Sequence, residues 1–201
     1  MRLVLASNNA KKLAELQTLF SPLGLELVTQ GSLGIPEAEE PYITFVENAL
    51  TKARHAAQHA NAAAIADDSG LCVDALGGAP GVLSARYATL FGRPKSDAEN
   101  NRVLLEKLSA HDDRQARFVS ALVAVRSADD PEPLIAFGRW EGEVLRELHG
   151  EGGFGYDPLL FIPSLGQSVA ELSADVKNLH SHRAIASRQM LALMREVWRF
   201  G

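Results

Sequence analysis

The chain has 201 residues, 46% hydrophobic and 22% charged, a globular composition that suits one large domain or two small lobes. Its formal charge of -5 argues against a general nucleic-acid binder, and no apolar run is long enough to cross a membrane. A single cysteine, Cys72, excludes an internal disulfide and a multi-cysteine zinc site, and the first apolar run is too short for a signal peptide, so a cytoplasmic protein is expected.

Residues 2–6 read as a buried strand. Ser7-Asn8-Asn9-Ala10-Lys11-Lys12 follows, and then a helix over 11–20 with Leu13, Leu16, Leu19 and Phe20 on one face. A strand, a polar turn and a lysine-bearing helix start suit phosphate, because the first helical N–H groups point outward without partners. The segment reads equally well as a helix capped by Asn9 with solvated lysines. Ser21-Pro22-Leu23-Gly24 reads as a helix stop, and 25–29 as a second strand. Glu37, Glu39 and Glu40 then cluster in a loop. They are either a solvated acidic run or oxygen donors for a metal ion.

Thr44-Phe45-Val46-Glu47 has the capping-box pattern and opens a helix over 45–59, with a small alanine face and Lys52 projecting from it. A short strand over 62–66 is expected to end at Asp67-Asp68-Ser69-Gly70, with Gly70 permitting a turn. Two adjacent carboxylates are tolerable where water, a metal ion or a basic group faces them, although ordinary strand exits use the same residue types. Gly77, Gly78 and Gly81 suggest unusual dihedrals or close backbone approach. Ser96-Asp97-Ala98-Glu99 opens another helix, through Leu108. Segments 117–125 and 134–142 read as strands joined by a hairpin loop, so the sheet is expected to be mixed.

In Gly150-Glu151-Gly152-Gly153-Phe154-Gly155-Tyr156-Asp157-Pro158, two aromatics sit among glycines. Either a nucleobase stacks on them, worth ~1–3 kcal/mol per base, or they dock into the protein's own core. Asp157 is a candidate acceptor for a base edge. A strand over 159–162 follows. A helical segment then starts at Ser173, is interrupted at Asn178-Leu179-His180, and gives way to a last helix from Ser181-His182-Arg183 to about Phe200. The phosphate loop of ATP-binding proteins and the dinucleotide fingerprint are both missing from the sequence, which weakens ATP- and NAD-dependent readings.

Four stretches, in order, closely resemble the non-canonical purine nucleoside triphosphate pyrophosphatases, the inosine/xanthosine triphosphatase family. They are Ser7 to Lys12, Phe45 to Ala49 with Lys52, Ala66 to Gly70, and Gly152 to Asp157 with Ser181-His182-Arg183. The first departs from the family's T-G-N-x-x-K, with Ser7 keeping the hydroxyl and Asn8 in place of glycine. Asn enters the left-handed region more readily than most residues. The resemblance covers nearly the whole chain, 1–201, as one domain of two lobes.

It implies an α/β fold, an elongated mixed β-sheet flanked by helices with a central cleft, in a homodimer. It implies Mg²⁺-dependent hydrolysis of dITP, ITP and XTP to the monophosphate and pyrophosphate, with neither nucleic acid nor membrane as partner. By motif, Ser7, Asn8, Asn9, Ala10, Lys11 and Lys12 would hold the triphosphate, with Lys52 a weaker addition. Glu39 and Asp68 would bind Mg²⁺, with Glu40 and Asp67 as alternatives that pattern alone does not separate. Asp68 would also act as or orient the general base, and Ser69 would contact substrate. Phe154 with Gly155 would stack on the purine and Tyr156 would wall its pocket. Asp157, His182 and Arg183 would read the base edge, and Lys177 would contact the nucleotide. A pyrophosphatase for modified pyrimidine or guanine nucleotides, as in the Maf family, is disfavoured by the Gly-Gly-Phe-Gly-Tyr-Asp and Ser-His-Arg stretches. A nucleotide sensor without turnover is disfavoured by the intact carboxylate pair.

Overall fold

The computed structural model describes residues 2–21 and 24–199. Pro22 and Leu23 of the turn expected after the first helix, and Phe200 at the expected end of the last, lie outside the described residues. In chain order the described elements are β1 (Arg2–Leu5), α1 (Ala10–Phe20), β2 (Glu26–Thr29), α2 (Phe45–Ala60), β3 (Ala64–Val73) and α3 (Asp97–Lys107). They continue with β4 (Gln115–Val125), β5 (Leu134–Val144), β6 (Leu160–Ile162), β7 (Gln167–Ser168), α4 (Ala174–His180) and α5 (His182–Val197). A seven-stranded sheet runs in the order β2-β1-β3-β4-β5-β6-β7. It is mixed, as expected: β1 is parallel to β2 and β3, whereas β6 is antiparallel to β5 and β7.

The chain divides into two compact units, the first comprising 1–68, 120–138 and 181–201, and the second 69–119 and 139–180. In the first unit, strand alternation feeds two cores. Leu3, Leu5, Ile65, Leu122 and Ala124 point to one face, where they pack with Leu16 and Phe20 of α1 and Met190 and Met194 of α5. Val4, Ala6, Ala64, Ala66, Val123 and Val125 point to the other, against the alanines of α2. That is the period-2 pattern of strands covered on both sides. The Thr44 hydroxyl caps α2 through the Glu47 N–H, as the capping-box pattern requires.

In the second unit one sheet face is apolar. Leu71, Val73, Ala116, Phe118, Trp140 and Val144 pack with Leu104 and Leu108 of the α3 segment and with Tyr156. The opposite face carries charge, with Arg117 paired to Asp74 and Gln115 bonded to Glu143. Burial on β5 alternates along its whole length, the signature of one wet face.

Two sequence expectations change. The strand expected to stop at Asp67 continues to Val73, so Asp67, Asp68, Ser69 and Gly70 all lie within β3. Adjacent acids remain in a strand here because cations compensate them, as described below. Gly70 does not turn the chain. Its lack of a side chain makes room for the Gly81 carbonyl and the Ser84 hydroxyl, which an added Cβ would strike. Nor is there an interruption at 178–180: α4 runs through His180, and the break falls at Ser181, whose hydroxyl caps α5 by accepting the Ala184 N–H. The glycines at 77, 78 and 81 do adopt positive φ, of 62°, 90° and 56°.

Candidate active site

The first unit gathers a cluster of charge around Asp67 and Asp68. Asp67 is 1% exposed. It accepts from the Ser120 hydroxyl at 2.6 Å, from Lys12 Nζ at 2.9 Å and from Arg183 Nε at 3.3 Å. Burial alone would raise its pKa, but the Lys12 and Arg183 charges outweigh burial and hold the carboxyl well below the usual range. Asp67 is therefore an ionised anchor. Burial dominates for Lys12, whose pKa is lowered despite the Asp67 charge.

Asp68, one residue on, points its side chain to different partners. Its Oδ1 lies 2.8 Å from Lys52 Nζ, which also donates to Glu40 Oε1 at 2.7 Å and to the Asp67 carbonyl at 3.0 Å. Asp68 Oδ2 is buried and has no hydrogen-bond partner among the described residues. Burial raises the Asp68 pKa beyond what the Lys52 charge recovers. The Lys52 pKa rises, because Asp68 and Glu40 together outweigh its own burial. Two neighbouring carboxylates are thus pushed in opposite directions, the pattern that separates a structural anion from a proton acceptor.

Of the alternatives for a metal shell, Glu40 is the acid that shares Lys52 with Asp68, whereas Glu39 is exposed. No group of three or more His, Cys, Asp or Glu side chains suited to a metal is present among the described residues. Mg²⁺ needs only one or two carboxylates and completes its shell with waters and phosphate oxygens. The hard oxygen donors of Asp68 and Glu40, and the unpartnered Asp68 oxygen, fit that requirement.

At the start of α1 the helix is capped, and one of its two lysines is ion-paired rather than solvated. Asn9 caps the helix, its Oδ1 accepting the Lys11 and Lys12 N–H groups, and the Ser7 hydroxyl accepts the Asn9 N–H. Lys12 nevertheless reaches Asp67, while Lys11 and Ala10 are exposed. Asn8 is not left-handed. Its side chain lies beside Gly31, where a Cβ would clash with it, and donates to Glu37.

Arg183 and His182 are 4% and 3% exposed. Besides Asp67, Arg183 pairs with Glu15 of α1 at 2.9 Å. His182 lies in the first turn of α5, and its carbonyl approaches β5 so closely at Gly138 that any Cβ there would collide with it. Glu15, Ser120 and Gly138 were missed from sequence. Ser120 carried a readable signal, a lone hydroxyl in the apolar run 118–125 of β4; Glu15 and Gly138 are visible only once α1, α5 and β5 are packed.

The second unit holds Ser69, Lys177 and the glycine-rich loop. The Phe154 N–H and Lys177 Nζ both donate to Asp157 Oδ2, at 3.0 and 2.8 Å, and Lys177 Nζ sits 4.8 Å from the Phe154 ring centroid. Gly153, at φ 73°, makes room for that carboxylate. Asp157 therefore shapes its own loop. Tyr156 follows the core alternative: it is 4% exposed and its hydroxyl donates to the Ser84 carbonyl at 2.9 Å. Phe154 is half-buried.

The sequence pattern of the Ham1 family matches residues 3–193. The chain is 66% identical over 206 residues to a dITP/XTP pyrophosphatase of Methylibium petroleiphilum, covering 98% of this chain and 99% of that protein. It is 66% identical over 209 residues to a dITP/XTP pyrophosphatase of Leptothrix cholodnii, with the same coverage. Among solved structures, a HAM1 protein from Coxiella burnetii aligns with a TM-score of 0.90 at 45% identity, covering 98% of this chain and 100% of that one. The Ham1 protein of Staphylococcus aureus aligns with a TM-score of 0.86 at 37% identity, covering 98% and 99%.

Proposed function

The chain belongs to the Ham1 family, and from that premise we propose that it hydrolyses dITP, ITP and XTP to the monophosphate and pyrophosphate, removing deaminated purines from the nucleotide pool. The observation that carries the mechanism is the divergence of Asp67 and Asp68. One is locked as a buried anion, while the other, paired to Lys52, keeps an oxygen without a hydrogen-bond partner among the described residues.

Asp68 acts as the general base for the attacking water or orients it, and Lys52 holds the carboxylate through Oδ1. Lys12 and Lys52, with Ser7, Asn9 and the start of α1, neutralise and position the triphosphate, which is most of what phosphoryl chemistry asks of a protein. Mg²⁺, when bound, would be held by Asp68 with Glu40 or its sequence neighbour Glu39, and would screen the phosphate charge.

On the base side, Phe154 stacks on the purine, with Lys177 and Asp157 beneath it. Arg183 carries donors only, so it favours a 6-keto purine, whose O6 accepts, over adenine, whose amine donates. Ser69 contacts substrate next to the base catalyst. The reading extends to a homodimer acting in the cytoplasm.

Product analysis with Mg²⁺ and dITP, XTP, dATP and dGTP side by side tests this reading. The expected result is monophosphate plus pyrophosphate from the first two and little from the others. Release of orthophosphate, or equal rates on all four, would overturn it.

A further inference from the structure

Gly155 separates the stacking residue Phe154 from the core residue Tyr156 and adopts φ 63°. Both of its backbone polar groups are held by one helix. Its N–H donates to Asp97 Oδ2 at 2.8 Å, and its carbonyl accepts from Asn101 Nδ2 at 2.9 Å. Asp97 and Asn101 are four residues apart, on the same face of α3. The N–H belongs to the peptide plane shared with Phe154, and the carbonyl to the plane shared with Tyr156. α3 therefore fixes the peptide planes on both sides of Gly155, the glycine that follows Phe154.

A second observation sets Asn101 apart from ordinary packing. It is 5% exposed, and its Oδ1 is buried without a hydrogen-bond partner among the described residues. The amide orientation follows from Gly155, since a carbonyl only accepts. An apolar side chain would fill the place without stranding that oxygen, so the amide is explained by its bond to Gly155. The neighbouring Asn100 grips the segment on the other side of Tyr156. Its Oδ1 accepts the Ala88 N–H and its Nδ2 donates to the Ala85 carbonyl, next to the Ser84 carbonyl that receives the Tyr156 hydroxyl.

The geometry points to Asp97 and Asn101 as positioning residues for base recognition, acting through the two faces of Gly155 to hold Phe154 in its stacking orientation. This rests on the purine-nucleotide reading of the loop. The two residues must differ in polarity, because one faces a donor and the other an acceptor.

The test is steady-state kinetics on dITP for Asp97→Ala, Asp97→Asn and Asn101→Asp, with inorganic triphosphate as an inhibitor that probes the phosphate side alone and thermal melting to verify folding. Asp97→Ala and Asn101→Asp are expected to raise KM for dITP about tenfold, with kcat and inhibition by inorganic triphosphate near wild type. Asp97→Asn should recover most of the loss, because an amide oxygen accepts the same N–H. The clamp is overturned by an unchanged KM in Asp97→Ala, or by Asp97→Asn falling as far as alanine, which would reduce the aspartate to a helix-end charge. If Asn101→Asp does not fold, the two Asp97 variants decide alone. A wild-type protein inert toward dITP would overturn the functional reading itself, before any variant is made.

Discussion

The charged cluster around Asp67 and the loop around Gly155 are held together by opposite means. In the cluster, full charges are buried in pairs: Lys12 and Arg183 on Asp67, Lys52 on Asp68 and Glu40. In the loop, the partners are mostly backbone groups, with Asp157, Asp97 and Asn101 each bonding a peptide N–H or carbonyl. Paired charges can exchange partners when a more highly charged ligand arrives, because a lysine leaving a carboxylate for a phosphate stays compensated. Peptide hydrogen bonds have no such substitute, so they preserve shape. The first arrangement suits a triphosphate that must be bound and then released as pyrophosphate. The second suits a base that must be measured against a fixed surface.

Breaking the cluster should have the largest effects. Asp68→Asn should lower kcat on dITP by about 10³-fold while nucleotide binding measured at equilibrium is partly retained. Turnover near wild type would remove Asp68 from the role of proton acceptor. Asp67→Asn leaves Lys12 buried without its anion and removes one of the two carboxylates paired with Arg183, and should cost about 3 kcal/mol of stability in denaturant unfolding. The same substitution has a pH signature. A carboxylate held below its ordinary value of 3.8 contributes stability that is whole above that value and is lost as the pH falls through its folded pKa. In EDTA, the wild-type protein should lose stability steeply below about pH 4, and Asp67→Asn should flatten that limb. An equal slope in both proteins would mean that Asp67 is not the ionised anchor.

The loop should fail more gently. Phe154→Ala should weaken dITP and XTP alike by about 2 kcal/mol, read as kcat/KM. A loss confined to one base would contradict stacking. Arg183 sharpens the comparison, since it lies in the charged cluster yet is proposed to read the base. Arg183→Ala should narrow the preference for dITP over dATP by about tenfold, with a lowered melting temperature because Asp67 loses one of its cations. A lowered melting temperature with unchanged selectivity would assign Arg183 to the cluster alone.

Much of this was legible in the residues themselves. Period-2 and period-3.6 patterns located the strands and helices, and Thr44, Ser96 and Ser181 marked helix starts, because those signals act over a few residues of chain. The Asp67-Asp68 and Gly152 to Asp157 stretches carried the family resemblance, because by themselves adjacent acids also suit an ordinary strand exit and loop aromatics also suit the core. Tertiary structure decided what depends on partners distant in the chain. Asp67 and Asp68 share an environment in sequence but receive different cations from α1, α2 and α5, and their pKa values are pushed in opposite directions. Glu40 rather than Glu39 meets Lys52, Tyr156 turns into the core, and Gly155 is gripped by a helix more than fifty residues upstream, with Asn101 54 positions away. None of these is a local preference. Each is set by which side chains the sheet and its helices bring within hydrogen-bond reach.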